Sequence, residues 1–304
     1  MNLEADLKTI LVPVDFSPFS DLAVDYALHL AQAFDAQVRL LHAAVLFQED
    51  ASDQQRLQAY TQWVAEQEKK IFGQMSARKM LGISRGARIQ TEVVRGVSAG
   101  NAILDYVESH PVDLVVMGSH GRTGLSHLLQ GSVAEKIVRL APVPVLTVHR
   151  SVKSFQLQRI LVPIDFSVYC QRALEHAFCL CEKFEARITI LHVVEQDVHP
   201  SVYAGDVHSV FEVDPALKKQ IIDNMQAFVS DWGTESRVEE YVVLEGKAHK
   251  QIVDFAAANH MDLIVISTHG LSGLDYFLLG STTEKVVRWA ACPVLTVKRF
   301  ESNF

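Results

Sequence analysis

Cysteine is scarce in this chain, and its placement is uneven. Four of the 304 residues are cysteine, and all four lie in the second half. The first half therefore has no disulfide to fold around, which excludes a disulfide-dependent scaffold there. Cys179 and Cys181 lie two residues apart in an apolar helical stretch. Because neighbours at that spacing do not face each other, we interpret them as buried structural thiols and assign no metal or redox site.

Runs of lysine and arginine are missing as well. The formal net charge is −8, which argues against nonspecific nucleic-acid binding and leaves room only for a small basic pocket. No apolar run is as long as a membrane span, and the acidic, polar start carries no secretory signal. We therefore expect a cytoplasmic protein that contacts neither nucleic acid nor membrane.

What the sequence does contain is a repeat that accounts for its length. The segment Ile10–Ser17, ILVPVDFS, returns as Ile160–Ser167, ILVPIDFS. Between 113–150 and 262–299, 21 of 38 positions are identical without a gap. A half of this size can bury its own core, so the repeat predicts two copies of one domain. The expected boundaries are 1–150 for the first domain, 158–304 for the second and 151–157 for a short polar linker.

Each half alternates short apolar runs with longer amphipathic ones, a pattern typical of a parallel sheet with crossover helices. In the first half we expect strands at Thr9–Val14, Gln37–Ala44, Arg88–Arg95, Val112–Gly118 and Val143–His149. The helices expected there are Pro18–Phe34, 52–80, Ser98–Ser109 and Ser132–Leu140. Strands of the second half are expected near 159–164, 187–193, 238–244, 262–267 and 294–298. The predicted fold class is therefore α/β, with two doubly wound, five-stranded parallel sheets.

A glycine pattern follows the fourth predicted strand, where a doubly wound sheet binds its ligands. The strand ends in Gly118-Ser-His-Gly121, and Gly131-Ser132 then opens a helix. Glycine lets the backbone approach an oxyanion, and the helix start offers unpaired N–H groups to which a serine hydroxyl can be added. His120 and Arg122 could contribute donors or positive charge from the loop. The pattern predicts an anion site; the alternative is that these glycines serve only tight turns and helix packing.

Asp15 follows the first predicted strand, at the same edge of the sheet. Its carboxylate could accept hydrogen bonds from a purine amine or a ribose hydroxyl. The alternative, which is compatible with that role, is that Asp15 caps the helix beginning near Pro18. His42 and His192 follow the apolar run of the second strand in each half, and we expect both to be hydrogen-bonded near the domain interior.

Together these motifs resemble the universal stress protein family. The resemblance rests on the ILVPVDFS strand, the glycine pattern and the closing VLTV strand, and it covers nearly the whole chain in a tandem arrangement. It implies a five-stranded parallel fold similar to the adenine nucleotide α-hydrolases. It also implies pairing through the last strands, so that one chain forms an internal pseudo-dimer, and it leaves further dimerisation open. The glycine pattern is specific to the ATP-binding branch of the family, which implies ATP as the ligand, with or without Mg²⁺.

The resemblance also implies which residues contact that nucleotide. Pro13, Asp15 and Ala43 would line the adenine and ribose side. The rest of the nucleotide would be held by Met117, Gly118, His120, Gly121, Gly131, Ser132 and Val133, the last of them at the phosphates.

The second copy departs from the first on the phosphate side. Ser267 replaces Gly118, and Leu271 replaces Arg122, so a cation is lost and backbone clearance could be lost too. A Cβ atom costs little at negative φ, but on the order of 1 kcal/mol at positive φ. The second copy keeps Pro163, Asp165, His269, Gly270, Gly280 and Ser281. We therefore expect nucleotide in the first domain and leave occupancy of the second open.

Hydrolysis is a separate question. Neither copy has the G-x-x-x-x-G-K-[ST] loop, and no carboxylate pair with a base role stands beside the glycines. His120 and His269 could act as bases, but a lone loop histidine more often binds or packs, so no catalytic or metal residue is assigned. The leading hypothesis is an ATP-binding stress-response regulator or sensor that acts on an unknown protein partner. The alternatives are a nucleotide-independent interaction protein, with degenerate pockets or another small ligand, and a weak ATPase.

Overall fold

The computed structural model describes residues 7–45, 54–119, 132–149, 156–195, 209–230, 237–268 and 279–298, apart from the side chains of 54–64 and 213. The chain divides into two compact units, one within Glu4–Ser151 and one within Val152–Phe304. We refer to them as the first and the second domain. Among the described residues, no helix has both the length and the apolar character needed to cross a bilayer.

The described part of the first domain is one parallel sheet with helices. Its strands are β1 (Thr9–Pro13), β2 (Gln37–Val45), β3 (Arg88–Gly96), β4 (Leu114–Gly118) and β5 (Val145–Val148). Its helices are α1 (Pro18–Phe34), α2 (Gln54–Ser84), α3 (Ala99–Ser109) and α4 (Ser132–Leu140). The strand order is β3-β2-β1-β4-β5, with every pair parallel. The order reverses between β1 and β4, so a crevice opens beyond their carboxyl ends.

The second domain repeats this topology. Its strands are β6 (Arg159–Pro163), β7 (Arg187–Val194), β8 (Val238–Glu245), β9 (Leu263–Ser267) and β10 (Val294–Val297). Its helices are α5 (Val168–Phe184), α6 (Val210–Val213), α7 (Pro215–Ser230), α8 (Ala248–Ala258) and α9 (Ser281–Trp289). The order β8-β7-β6-β9-β10 is again parallel throughout. The predicted α/β class with two parallel sheets is confirmed.

Helix α1 shows why its ends could be predicted from sequence. The Ser17 hydroxyl accepts a hydrogen bond from the N–H of Ser20 at 3.2 Å, as an N-cap residue does. Pro18 occupies the first turn, where its missing N–H is not needed. The helix ends at Asp35, which takes a left-handed conformation with φ 53°. The predicted bounds of α1, and likewise those of α4, agree with the structure.

Helix α2 differs from its prediction, because it runs to Ser84 and not to residue 80. Met80 and Ile83 are 65% and 47% exposed, so the apolar pattern of the helix is broken there although the backbone continues. Gly86, with φ +80°, follows the last turn. A glycine in the left-handed conformation ends a helix at no steric cost. Gly86 therefore indicates the end of α2 better than the apolar spacing does.

The core of each domain consists mainly of strand side chains covered by helices on both faces of the sheet. The largest fully buried strand residues are Ile10, Leu11, Leu40, Leu41, Ile160, Leu161, Ile188, Ile190 and Leu191. Each such side chain stabilises the fold by roughly 1.5–3 kcal/mol. Cys179 and Cys181 are buried too, and the Cys181 thiol donates to the carbonyl of Ala186 at 2.7 Å. Their interpretation as buried structural thiols is confirmed.

Candidate functional site

The turn after β1 presents Asp15 at the mouth of the crevice. The ladder continues one residue beyond the strand, since the N–H of Val14 donates to the carbonyl of Leu41 at 2.8 Å. The Oδ1 atom of Asp15 then accepts from the N–H of Ser17 at 3.0 Å. Asp15 is therefore held in a tight side-chain turn before the helix. The alternative role for Asp15, as the helix cap, is wrong because Ser17 caps α1.

Phe16, between Asp15 and Ser17, has the positive φ of 66° that only glycine adopts without strain. Its ring stacks on His42 at 4.6 Å between centroids, and the guanidinium of Arg78 lies 4.8 Å from the ring centre. The Nδ1 atom of His42 is 2.7 Å from the carbonyl of Val14, to which it can donate. These contacts offset the backbone strain at Phe16 and hold the turn that follows β1 in one conformation.

The second domain builds the same turn. Phe166 has φ 60°, and its ring lies 4.8 Å from that of His192. The Nδ1 atom of His192 is 2.9 Å from the carbonyl of Ile164. Phe228 packs edge-on against Phe166 at 5.8 Å, whereas the ring of Phe16 is contacted by Arg78. The prediction that both histidines are hydrogen-bonded near the interior is confirmed.

Gly118, at the end of β4, has a packing role that the sequence did not separate from a ligand role. A Cβ atom on Gly118 would lie 2.7 Å from the Cβ of Phe19 and 2.9 Å from its carbonyl carbon. Since main-chain atoms cannot swing aside, a side chain there would push β4 away from α1. Met117, the residue before it, is 4% exposed. A contact of either residue with a ligand stays a prediction.

Four further predicted residues of the first domain lie near the carboxyl ends of β1 and β2 or in the first turn of α4. Pro13 ends β1 beside Leu41 of β2, and Ala43 pairs with Val94 of β3. Ser132 is exposed in the first turn of α4, where N–H groups have no intrahelical acceptor. Val133 beside it is half-buried. Four other predicted residues lie outside the described part of the chain: His120, Gly121, Arg122 and Gly131.

In the second domain, Asp165 has a partner that sequence reasoning missed. Its Oδ1 accepts from the N–H of Ser167 at 3.0 Å and from the thiol of Cys170 at 2.8 Å. Burial first, and then the Asp165 carboxylate, raise the pKa of the Cys170 thiol to about 12. The thiol therefore keeps its proton at neutral pH and donates it to the carboxylate. The corresponding Ser20 of the first domain donates instead to the carbonyl of Ser17 at 2.9 Å.

Helix α9 begins next to the end of β9. The N–H of Gly280 donates to the carbonyl of Thr268 at 2.9 Å, and a Cβ on Gly280 would lie 3.2 Å from that oxygen. The hydroxyl of Thr283 donates to the carbonyl of Ser267 at 2.7 Å. Ser281 is exposed in the first turn. Ser267 does not have a positive φ, so its Cβ imposes no backbone strain; His269 and Gly270 lie outside the described residues.

These elements enclose a cavity of about 530 Å³ in the second domain, a size that suits a small organic ligand. Its polar lining comes from the ends of β6, β7 and β9 and from the starts of α5 and α9, and includes Asp165, Cys170, His192, Glu195, Ser267, Ser281 and Thr282. Pro163 and Ile266 contribute apolar walls. Among the described residues, no group of three or more His, Cys, Asp and Glu side chains is arranged to hold a metal ion.

Comparisons with known proteins agree with this duplicated architecture. The model of the universal stress protein family matches residues 6–149 and again residues 156–298. A universal stress protein of Methanocaldococcus jannaschii is 36% identical over 145 residues, which are 47% of this chain and 82% of that protein. One of Mycolicibacterium smegmatis is 28% identical over 309 residues, covering 95% of this chain and 96% of its own. The solved structure of a universal stress protein from Archaeoglobus fulgidus has a TM-score of 0.71 at 22% identity, covering 96% of this chain and 98% of its own; this likeness concerns the fold alone.

Proposed function

The chain belongs to the universal stress protein family, and on that premise we propose that it is a regulator or sensor that binds ATP through its first domain. The observation that carries the proposal is a juxtaposition at the switch point of the sheet. Asp15 follows the carboxyl end of β1 in a strained turn, and Ser132 lies in the first turn of α4, where N–H groups are unpaired; we infer that both face the crevice at the switch point. The same juxtaposition in the second domain borders a cavity of about 530 Å³.

The roles of the residues follow from their chemistry. Asp15 would accept from the adenine amine or a ribose hydroxyl, while Pro13 and Ala43 supply apolar contact on the same side. Ser132 and the first-turn N–H groups of α4 would donate to phosphate oxygens. For His120, Gly121, Arg122 and Gly131, phosphate contact is part of the proposal. When Mg²⁺ accompanies the nucleotide, it would neutralise phosphate charge.

We propose that the bound ATP regulates the protein and is not hydrolysed efficiently. A positioned general base would have to stand within hydrogen-bond reach of an attacking water, and no residue is assigned that role. Binding would instead change the surface between Gly121 and Gly131 that is offered to a protein partner. A nucleotide-independent interaction protein is the second candidate, favoured by the packing role of Gly118. Pairing of the domains through their last strands, and association of further chains, stay predictions.

Isothermal titration calorimetry of the full chain with ATP tests the proposal. We expect Asp15→Asn to weaken ATP binding at least about tenfold, since hydrogen bonds to a charged group contribute roughly 1.5–3 kcal/mol. Asparagine retains an oxygen that can accept from the N–H of Ser17, so the turn is kept. The matched control is Asp25→Asn, which removes an exposed carboxylate of α1 paired with Arg85 and should bind ATP like the wild type.

Two results would refute the proposal. One is an absence of binding heat at millimolar ATP; the other is an Asp15→Asn variant that binds ATP as tightly as Asp25→Asn does. The second candidate is tested separately, by denaturing the purified protein and analysing the supernatant for nucleotide. Adenine nucleotide released in that way would exclude a nucleotide-independent role.

A further inference from the structure

The cavity of the second domain differs from the corresponding region of the first at nine lining positions, among them the following four. Glu195 replaces Val45, Cys170 replaces Ser20, Ser267 replaces Gly118 and Thr282 replaces Val133. Each replacement brings a polar or larger side chain to the wall. The cavity of the second domain therefore carries hydrogen-bonding side chains that the corresponding region of the first domain lacks.

Glu195 changes the electrostatics of this cavity most. It follows β7, and its Oε1 accepts from the N–H of Ala248 at 2.6 Å, which fixes the carboxylate at the start of α8. Together with Asp165, it places two carboxylates on the wall. None of the described residues that line the cavity is Lys or Arg. In sequence, the stretch 262–284 contains neither, whereas the equivalent 113–135 contains Arg122.

The start of α9 can receive an anion, whereas the start of α8, which also borders the cavity at Ala248, already holds the Glu195 carboxylate. First-turn N–H groups and the hydroxyls of Ser281 and Thr282 can donate to phosphate oxygens there. The partial charge of a helix end is about half an elementary charge, and it falls off within one turn. It can support one phosphoryl group but does not compensate further phosphoryl groups beside two carboxylates.

We propose that the cavity of the second domain binds a nucleoside monophosphate and discriminates against the triphosphate. Asp165 and Glu195 accept hydrogen bonds from the hydroxyls or amine of the nucleoside, and the single phosphate lies at the start of α9. The inference rests on the proposed nucleotide function and assigns the two domains different ligands. A chain of this kind would respond to both the triphosphate and the monophosphate, each through its own domain.

Amide-resolved NMR titration of the full chain tests the proposal, because the two sites have separate reporters. The amides of Ser281 and Thr282 report on the second domain, and those of Ser132 and Val133 report on the first. With AMP and ATP as the probes, we expect the Kd for AMP at Ser281 and Thr282 to be at least about tenfold lower than that for ATP. Equal affinity, tighter ATP binding or no shift with either probe at these amides would overturn the inference.

A charge variant sharpens the test. Glu195→Gln retains an oxygen for the N–H of Ala248 but removes the negative charge, so it should narrow the preference for AMP by about threefold to tenfold. Glu182→Gln, which alters an exposed carboxylate of α5, should leave the preference unchanged. A preference that Glu195→Gln does not alter would overturn the electrostatic argument. Failure of the proposed function would appear elsewhere, as an absence of ATP response at Ser132 and Val133.

Discussion

The two domains share a topology and a strained turn, but the end of the fourth strand packs differently in each of them. In the first domain a Cβ on Gly118 would meet the main chain of Phe19 at 2.9 Å. In the second, Ser267 has a side chain at the same place, is 7% exposed and has an ordinary negative φ. The comparison teaches that this glycine is a packing requirement of one copy. Its replacement in the other copy is therefore no sign of a lost ligand.

Exchanging Gly118 and Ser267 between the domains should give the largest change in stability, and the two substitutions should differ in size. Gly118→Ser should destabilise the protein by about 3 kcal/mol, because the inserted atom meets main chain and not a movable side-chain end. The reverse change, Ser267→Gly, should cost about 1 kcal/mol or less, chiefly through added backbone entropy. Urea denaturation of each variant gives the free energies. Similar losses for the two variants would show that the copies pack alike.

The second-largest expected effect is a pH dependence of stability that arises from the second domain. His176 of α5 is 3% exposed, where the first domain has Tyr26. Burial lowers the pKa of His176 to about 4, although its Nδ1 can donate to the carbonyl of Arg172. The unfolded chain, with a histidine pKa near 6.5, therefore takes up the proton first, so stability falls as the pH drops below about 6.5 and levels off below about 4.

We expect this histidine to cost the protein roughly 2 kcal/mol between about pH 7 and pH 5. The variant His176→Tyr copies the residue of the first domain and should lose that part of the pH dependence. The measurement is the difference in unfolding free energy between variant and wild type at each pH, which cancels the titration of other groups. A difference that does not change with pH would mean that His176 titrates normally in the folded protein.

The smallest expected effect concerns the thiol next to Asp165. Cys170→Ser should destabilise the second domain by about 1 kcal/mol, because the shorter hydroxyl fills less of a buried site although it can still donate. Ser20→Cys in the first domain is the reciprocal change and tests whether the thiol alone recreates the contact with Asp15. Denaturation curves of both variants supply the numbers. A Cys170→Ser variant more stable than the wild type would show that the packing of the sulfur contributes less than the stronger hydroxyl donor.

Much of the fold could be predicted from sequence because its signals are local. Ser17 and Pro18 mark the start of α1, and Ser98 marks the start of α3, where its hydroxyl accepts from the N–H of Asn101 at 3.3 Å. The end of α2 was misjudged because apolar residues exposed to solvent interrupt the periodic pattern. The cap predicted at Ser98 agrees with the structure, whereas α1 is capped by Ser17 and not by Asp15. Amphipathic spacing predicts the bounds of α1 correctly but ends α2 too early.

The site was less predictable, because its decisive contacts join residues that are distant in sequence or separated by a turn. The bond between Glu195 and the N–H of Ala248 links the end of β7 to the start of α8, four elements later. The thiol of Cys170 reaches Asp165 only because the intervening residues take the strained turn. Gly118 was recognised as special, but its neighbour Phe19 could be known only from the packed structure.

The stacking of Phe16 on His42 also gives the first domain an intrinsic NMR reporter of ligand binding. Because Phe16 is covalently next to Asp15, a ligand that shifts the main chain of this turn would also shift the aromatic ring. The imidazole lies 4.6 Å from the ring centre, so its carbon-bound protons experience the ring current directly. Their proton resonances should therefore move when the crevice is filled, and occupancy could be followed without a dye, an isotope label or an introduced probe.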